Sequence, residues 1–309
     1  MSPERTRGCE TAPVPKVTVK STRPDLLEIE FETFGSPSDP AVLLVAGFAV
    51  QLTRWETEFC ERLAAAGRYI IRFDNRDCGL STKLDGVAAD WKGALQATLT
   101  GGEMPDVPYT LSDMANDGIG LLDALDVDAA HLVGESMGGM IAQTMAIEHP
   151  ARVCSLTSML SSPGDPRTGK PEPEALEVLL TVPPTERAAY IDAAARTSVW
   201  ASKRYVDVER IRLRAGESFD RSFYPEGGPR QLAAIYASGD RTAALGHVRC
   251  PALVIHGRDD TLITPSGGTA TAEAIPGAHL LLVADMGHDL PRPLWPLLVA
   301  AILGITAES

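Results

Sequence analysis

The chain has 309 residues, 44% of them hydrophobic and 22% charged, with a formal net charge of −13. That length holds one large α/β domain with an insertion, or two small domains, with ample core. The acidity repels phosphate backbones and anionic headgroups, which argues against nucleic acid and membrane surfaces as partners. The five cysteines are odd in number and widely spaced. They read neither as a disulfide framework nor as a zinc site, and a reducing cytoplasm is the expected location. The N-terminus, MSPERTRGCETAPVPK, lacks the apolar core of a signal peptide, and no apolar run is long enough to span a bilayer.

Residues 1–24, rich in Pro, Thr and charge, read as a flexible N-terminal arm. The run LLEIEFETF (26–34) alternates apolar and polar residues, the pattern of a half-exposed strand. After the turn GSPSDP, AVLLVA (41–46) is continuously apolar, as in a strand buried on both faces. A helix is expected over 54–66, stopped by Gly67, and a second buried strand over 69–73. A loop with Asp74, Arg76, Asp77 and Gly79 follows, and 84–109 reads as irregular. Helical spacing returns over 111–125, with Ser112 and Asp113 as cap candidates. Then come a strand (130–133), a helix (137–148) and a strand (153–160).

From 162 to 247 the alternation is lost, and helices are expected at 174–180, 186–197 and 206–214. It resumes with a strand (252–256), a helix (266–274), a strand (279–283) and a helix (294–303). No internal repeat is present. The pattern predicts an α/β fold: a mostly parallel sheet with helices on both faces. Residues 25–161 and 248–309 form its core, and 162–247 is a helical cap, or lid, inserted between strands. Functional sites in such sheets lie at the carboxyl ends of the strands.

One stretch there asks for chemistry: HLVGESMGG (131–139). A strand runs into Gly134-Glu135-Ser136-Met137-Gly138 and a helix runs out, the G-x-S-x-G context that forces a serine into a sharp turn. The flanking glycines admit close neighbours. The free amides at the start of the helix can stabilise an oxyanion. A serine hydroxyl needs a base and an orienting acid. Of the six histidines, His131 and His149 flank the serine segment at the wrong ends. His247 sits near the end of the cap block, His256 lies at a strand end and His279 starts a strand. His288, in MGHDL, follows the last strand at the carboxyl edge of the sheet. For the acid, HGRDDTL offers Asp259 and Asp260 after the strand 252–255. Either fits the chain order serine, acid, histidine.

With LLVAGF, RFDNRDCGLST, the segment from YTLSDM to GGMIAQ, HGRDDTLITPSGG and MGHDLP, the chain from Ala41 onward resembles the serine hydrolases of the α/β-hydrolase superfamily. The subgroup it most resembles contains aclacinomycin methylesterase and related mycobacterial lipase/esterase-like hydrolases. That resemblance implies Ser136 as nucleophile and His288 as base. It implies Asp260 rather than Asp259 as acid, because the family's acid falls three residues after the glycine of the HG turn. It also implies an oxyanion hole from the Phe48 and Met137 amides. Alanine replaces the histidine that commonly precedes Gly47, which leaves a backbone donor in place.

No cofactor is implied: there is no H-E-x-x-H motif, and no G-x-G-x-x-G follows a strand. The expected reaction is hydrolysis of a carboxylic ester or lactone through an acyl-enzyme. The cap supplies Tyr190, Trp200, Tyr205, Phe219, Phe223 and Tyr224, with Trp91 and Leu95 as a second wall. Such a pocket suits a small hydrophobic substrate, a polyketide-type methyl ester or a macrolactone. A cofactor-free perhydrolase or a C–C bond hydrolase uses the same triad, and a ligand-binding receptor on this scaffold is the reading from another class. A homo-oligomer stays open.

Overall fold

The alternation of side chains along each strand decides which layer it feeds. In the computed structural model, which describes residues 15–307, the strands are β1 (Lys16–Lys20), β2 (Leu26–Phe34), β3 (Ala41–Val45), β4 (Tyr69–Phe73), β5 (Ala130–Glu135), β6 (Val153–Met159), β7 (Ala252–Gly257) and β8 (His279–Val283). They form one eight-stranded sheet in the order β1-β2-β4-β3-β5-β6-β7-β8. β1 and β2, and β2 and β4, pair antiparallel, whereas the pairs from β4 to β8 are parallel. All five residues of β3 are buried. Leu43 and Val45 enter one core with Met114, Ile141 and Met145. Val42 and Leu44 enter the other with Trp55, Phe59, Leu298 and Ile302. A central parallel strand feeding two cores therefore reads as an unbroken apolar run.

Helices α1 (Thr57–Ala64), α2 (Trp91–Thr100), α3 (Leu111–Ala124) and α4 (Met137–Glu148) follow in order. Between β6 and β7 run α5 (Pro173–Leu180), α6 (Arg187–Ala194), α7 (Val208–Arg221), α8 (Gly227–Ala237) and the short α9 (Thr242–Leu245). α10 (Pro265–Ala274) and α11 (Trp295–Ile305) complete the chain.

Four readings need correction. Residues 16–20 belong to a strand, not a loose arm. KVTVK alternates, so Val19 is buried while the lysines face out, and the strand pairs with β2. Residues 1–14 of that arm lie outside the described residues. The irregular stretch 84–109 contains α2, capped by Asp90, whose carboxylate accepts the Gly93 amide at 2.8 Å, and packed against α8. The cap of α3 is Thr110. Its hydroxyl accepts the Asp113 amide while Asp113 Oδ2 accepts the Thr110 amide at 2.7 Å, a reciprocal capping box. Ser112 instead donates to Glu148 at 2.6 Å. Finally α7 runs on to Arg221, and α8 hides behind Gly-Gly-Pro, residues that argue against a helix start by propensity.

Arg76 ties these parts together in the buried loop after β4. Its Nε and Nη2 each donate to Asp117 of α3 at 2.6 Å, Nη2 also reaches Ser21 Oγ at 2.6 Å, and the guanidinium sits 4.9 Å from the Tyr109 ring. Removing one partner of a buried pair strands the other charge. Asp117→Ala is expected to lower stability by about 3–5 kcal/mol, measured by urea unfolding. Replacing both Arg76 and Asp117 by apolar residues is expected to cost less than the single change.

Candidate active site

Ser136 joins β5 to α4 with φ 55° and ψ −123°, left-handed backbone that costs a non-glycine residue about 1–3 kcal/mol. Neighbours hold it there. Its amide donates to Met159 O at 2.8 Å, and its carbonyl accepts Ser161 Oγ at 2.8 Å. The glycines on either side are required by contact. A Cβ on Gly134 would lie 2.1 Å from Gly138 O, and one on Gly138 would lie 2.1 Å from Val45 O.

The two amides expected to bind an oxyanion flank this turn. The Met137 amide opens α4, and among the described residues neither it nor the Phe48 amide has a hydrogen-bond acceptor. The neighbouring Ala49 amide is occupied, donating to Gln231 Oε1 at 2.8 Å. Asn75 Nδ2 donates to Ala46 O at 2.9 Å and pins the loop that carries Phe48.

His288 stands on the loop after β8, its amide donating to Trp200 O at 2.6 Å. A Cβ on the preceding Gly287 would lie 2.3 Å from the same carbonyl, so only glycine lets the loop approach. His288 Nδ1 is 2.7 Å from Asp260 Oδ2. The other oxygen, Asp260 Oδ1, accepts the amides of Leu262 and Ile263 at 2.9 Å each. The carboxylate is wholly buried. Burial works to raise its pKa, but the His288 and His256 imidazoles outweigh this and leave it below the ordinary aspartate value. Among the described residues Asp259 makes no hydrogen bond or ion pair with His288; its amide donates to Met286 O at 2.9 Å.

Sequence reading passed over His256. It is fully buried at the end of β7, with Nε2 2.7 Å from Ile263 O and 3.4 Å from Asp260 Oδ2. The signal was a histidine ending a buried strand just before the turn that carries the acid. His131, by contrast, lies at the far end of β5 against Ser155 Oγ at 2.9 Å, and burial pushes its pKa down to about 4. His149 pairs with Asn116. The hydroxyl of Ser136 makes no hydrogen bond to His288 among the described residues.

A cavity of about 420 Å³ opens beside His288; Ser136 lies outside its lining. Tyr190, Trp200 and Tyr205 face it, but so do Arg54, Arg210, Arg214 and Arg292. The expected apolar pocket is thus only partly apolar. Phe219 and Phe223 stack on each other at 4.6 Å and meet Tyr190 tilted and edge-on, a half-buried aromatic cluster among the inserted helices. Tyr224 donates to Asp85, and Trp91 and Leu95 do not line the cavity. Among the described residues, no group of three or more His, Cys, Asp or Glu side chains could hold a metal ion, and no helix is long and apolar enough to cross a membrane.

A serine strained onto a strand-to-helix turn in this strand order is the hallmark of one class, and the chain belongs to it: the family model described as alpha/beta hydrolase fold matches residues 40–199. Within that class it is 31% identical to rhodomycin D methylesterase DauP of Streptomyces sp. (strain C5), over 90% of this chain and 94% of the relative. The enol-lactonase of Burkholderia xenovorans LB400 superposes with a TM-score of 0.70 at 22% identity, covering 95% of this chain and all of that one. A meta-cleavage product hydrolase of Pseudomonas fluorescens IP01 superposes with a TM-score of 0.72 at 19% identity, covering 94% and 97%.

The depressed pKa of Asp260 has a definite sign in stability. Ionisation of this group stabilises the fold above the ordinary aspartate pKa of about 4, and that contribution is lost as pH falls through the lower folded value. Asp260→Asn is therefore expected to be less stable than the parent at pH 7, with the gap closing towards pH 3, read by urea unfolding across that range.

Proposed function

We propose that the chain is a carboxylic-ester hydrolase with Ser136 as nucleophile, His288 as general base and acid, and Asp260 as the orienting carboxylate. The observation that carries the reading is the 2.7 Å bond from His288 Nδ1 to a buried Asp260 whose second oxygen is held by two amides. That arrangement selects the tautomer with a proton on Nδ1 and a free lone pair on Nε2, the form a general base needs. The Ser136–His288 bond forms in the substrate complex, as catalytic hydrogen bonds often tighten only there.

In the reaction, His288 Nε2 takes the Ser136 proton as Oγ adds to the ester carbonyl. The amides of Phe48 and Met137 receive the oxyanion, each donor worth about 3 kcal/mol of barrier. The imidazolium then gives its proton to the departing alkoxide, and the C–O bond breaks to leave an acyl-enzyme. Water, deprotonated by His288, adds to the acyl carbon. Oγ leaves with the proton returned, and a carboxylic acid is released.

The likeness to a methylesterase supports a methyl ester as the first substrate to try, with lactones beside it. The helices between β6 and β7 act as the cap that selects it. Their contacts support this: Trp200 O meets the His288 amide, and the Ser202 amide donates to Asp289 at 3.0 Å. The four described cysteines are free, which suits a reducing cytoplasm.

Ser136→Ala is expected to lower ester kcat by about a million-fold with unchanged circular dichroism; retained turnover would refute the nucleophile. Asp260→Asn should cost far more activity than Asp259→Asn, and equal losses would reverse the choice between them. Fluorophosphonate labelling should stop in His288→Ala, and an undiminished labelling rate would take the base role from His288.

A further inference from the structure

The cavity beside His288 holds an arginine that spends only its Nε on a protein acceptor. Arg54 lies just past β3, and its Nε donates to Glu135 Oε1 at 2.6 Å. Glu135 is the buried residue immediately before Ser136. Among the described residues, the two terminal nitrogens of Arg54 have no acceptor, and its side chain is 30% exposed where it lines the cavity. The other cavity arginines each hold an acid, though Arg292 does so through Nη2 alone and is the more exposed. Arg210 and Arg292 both grip Glu56, while Arg214 holds Glu217 and Thr53 O. Among the described residues three acids line the cavity and could oppose an anion: Glu56, held by Arg210 and Arg292, Asp207, which caps α7, and Asp289. One Asp289 oxygen is already occupied by the Ser202 and Gly287 amides.

A guanidinium carries its donors as a rigid planar fork. Glu135 fixes one edge of it and so sets the direction of the other, the end that bears Nη1 and Nη2. That end can meet both oxygens of a carboxylate at once. In the free protein that end is open to solvent. Any neutral occupant without acceptors would strip that water and leave the donors unpaired, a penalty that discriminates against it.

Resting on the ester-hydrolase reading above, we propose that Arg54 is a specificity-determining residue that binds a second, anionic oxygen group of the substrate. The substrate class is then an ester that also carries a free carboxylate, for which a monoester of a dicarboxylic acid is the simplest probe. The acyl carbonyl meets Ser136, and the distal carboxylate extends into the cavity past His288.

The test compares monomethyl esters of C5–C10 dicarboxylic acids with the methyl esters of the matching monoamides, which keep the shape and lose the charge. The parent protein is expected to prefer the acid by at least about tenfold in kcat/KM, mainly through KM. Arg54→Gln should erase that preference, and Arg54→Lys should restore only part of it. Because Arg54→Gln leaves Glu135 without its partner, Arg54→Gln/Glu135→Gln serves as the second variant and should lose the preference equally. A parent that treats acid and amide alike, or a preference that survives both variants, overturns the proposal. Binding of adipate by titration calorimetry gives a readout that needs no turnover. It should weaken at least about tenfold in both variants, and unchanged binding counts against Arg54. If fluorophosphonate labelling of Ser136 fails while adipate binding depends on Arg54, the hydrolase reading falls and the anion site stands. If labelling succeeds and adipate binding ignores Arg54, the reverse holds.

Discussion

Backbone meets backbone without room for a side chain where β3, β5 and α4 come together. Gly138 at the first turn of α4 has the Val45 and Ala46 carbonyls against its Cα, and Gly134 of β5 has Gly138 O in the same relation. No side chain fits at either position, so strand and helix close to a distance that larger residues forbid. The residue at the corner must then take a positive φ, and Ser136 does. The strain is borne by the two cores on either side of the sheet, which leave β3 and β5 no freedom to part. The same closeness sets the Phe48 loop beside the turn: a Cβ on Gly47 would come within 3.2 Å of Ser136 Cβ. Two amides without protein acceptors and one hydroxyl are therefore gathered by packing alone.

The second constraint is electrostatic. A carboxylate with no exposure is costly unless its lone pairs are filled. Asp260 has two amides on one oxygen and one imidazole at 2.7 Å on the other, with a second imidazole at 3.4 Å. Each partner comes from a different place: the turn after β7, the loop after β8, and the last residues of β7 itself. His256 serves this turn doubly, since its Nε2 also meets Ile263 O and so braces the backbone whose amides hold Asp260. Its Nδ1 lies buried against Gly268 with no partner, and a Cβ there would come within 2.4 Å. The ring is thus locked from both sides, and through it the acid.

What could be read in advance was whatever repeats or is local. Buried strands announced themselves as apolar runs, and the turn around Ser136 through its glycines. Short elements with mixed composition were missed. β1 is five residues flanked by charge, α2 contains Gly93, and α8 begins Gly-Gly-Pro. Each is held by tertiary contact, α2 and α8 by packing on one another, and propensity yields to such packing. The choice between Asp259 and Asp260 was not decided by the residues themselves, because adjacent aspartates in a turn differ only in which one the backbone points inward. For a related reason Arg54 was invisible, and His256 showed only as a histidine ending a buried strand. Their meaning lies in partners at positions 135 and 260–263, and no local pattern encodes a partner.

The inserted helices complete the picture through the kind of contact they make. Gln51 Nε2 donates to Ser218 O and Ser222 O at 2.7 and 2.8 Å, and Gln231 bridges Ala49 N and Arg76 O. Arg230 forks onto Asp77, and Arg221 reaches Asp74. These are directional bonds to the loops after β3 and β4, whereas Tyr190, Phe219 and Phe223 meet one another within the insertion, with Tyr190 also facing the cavity. Helices joined to those loops by polar bonds keep a definite orientation against them, yet can exchange such bonds for water at lower cost than an apolar interface could be parted. The loop that carries Phe48 is thereby positioned from above by Gln231 and from below by Asn75. Any displacement of α8 would be felt first at the Ala49 amide, one residue from the atom expected to meet the oxyanion.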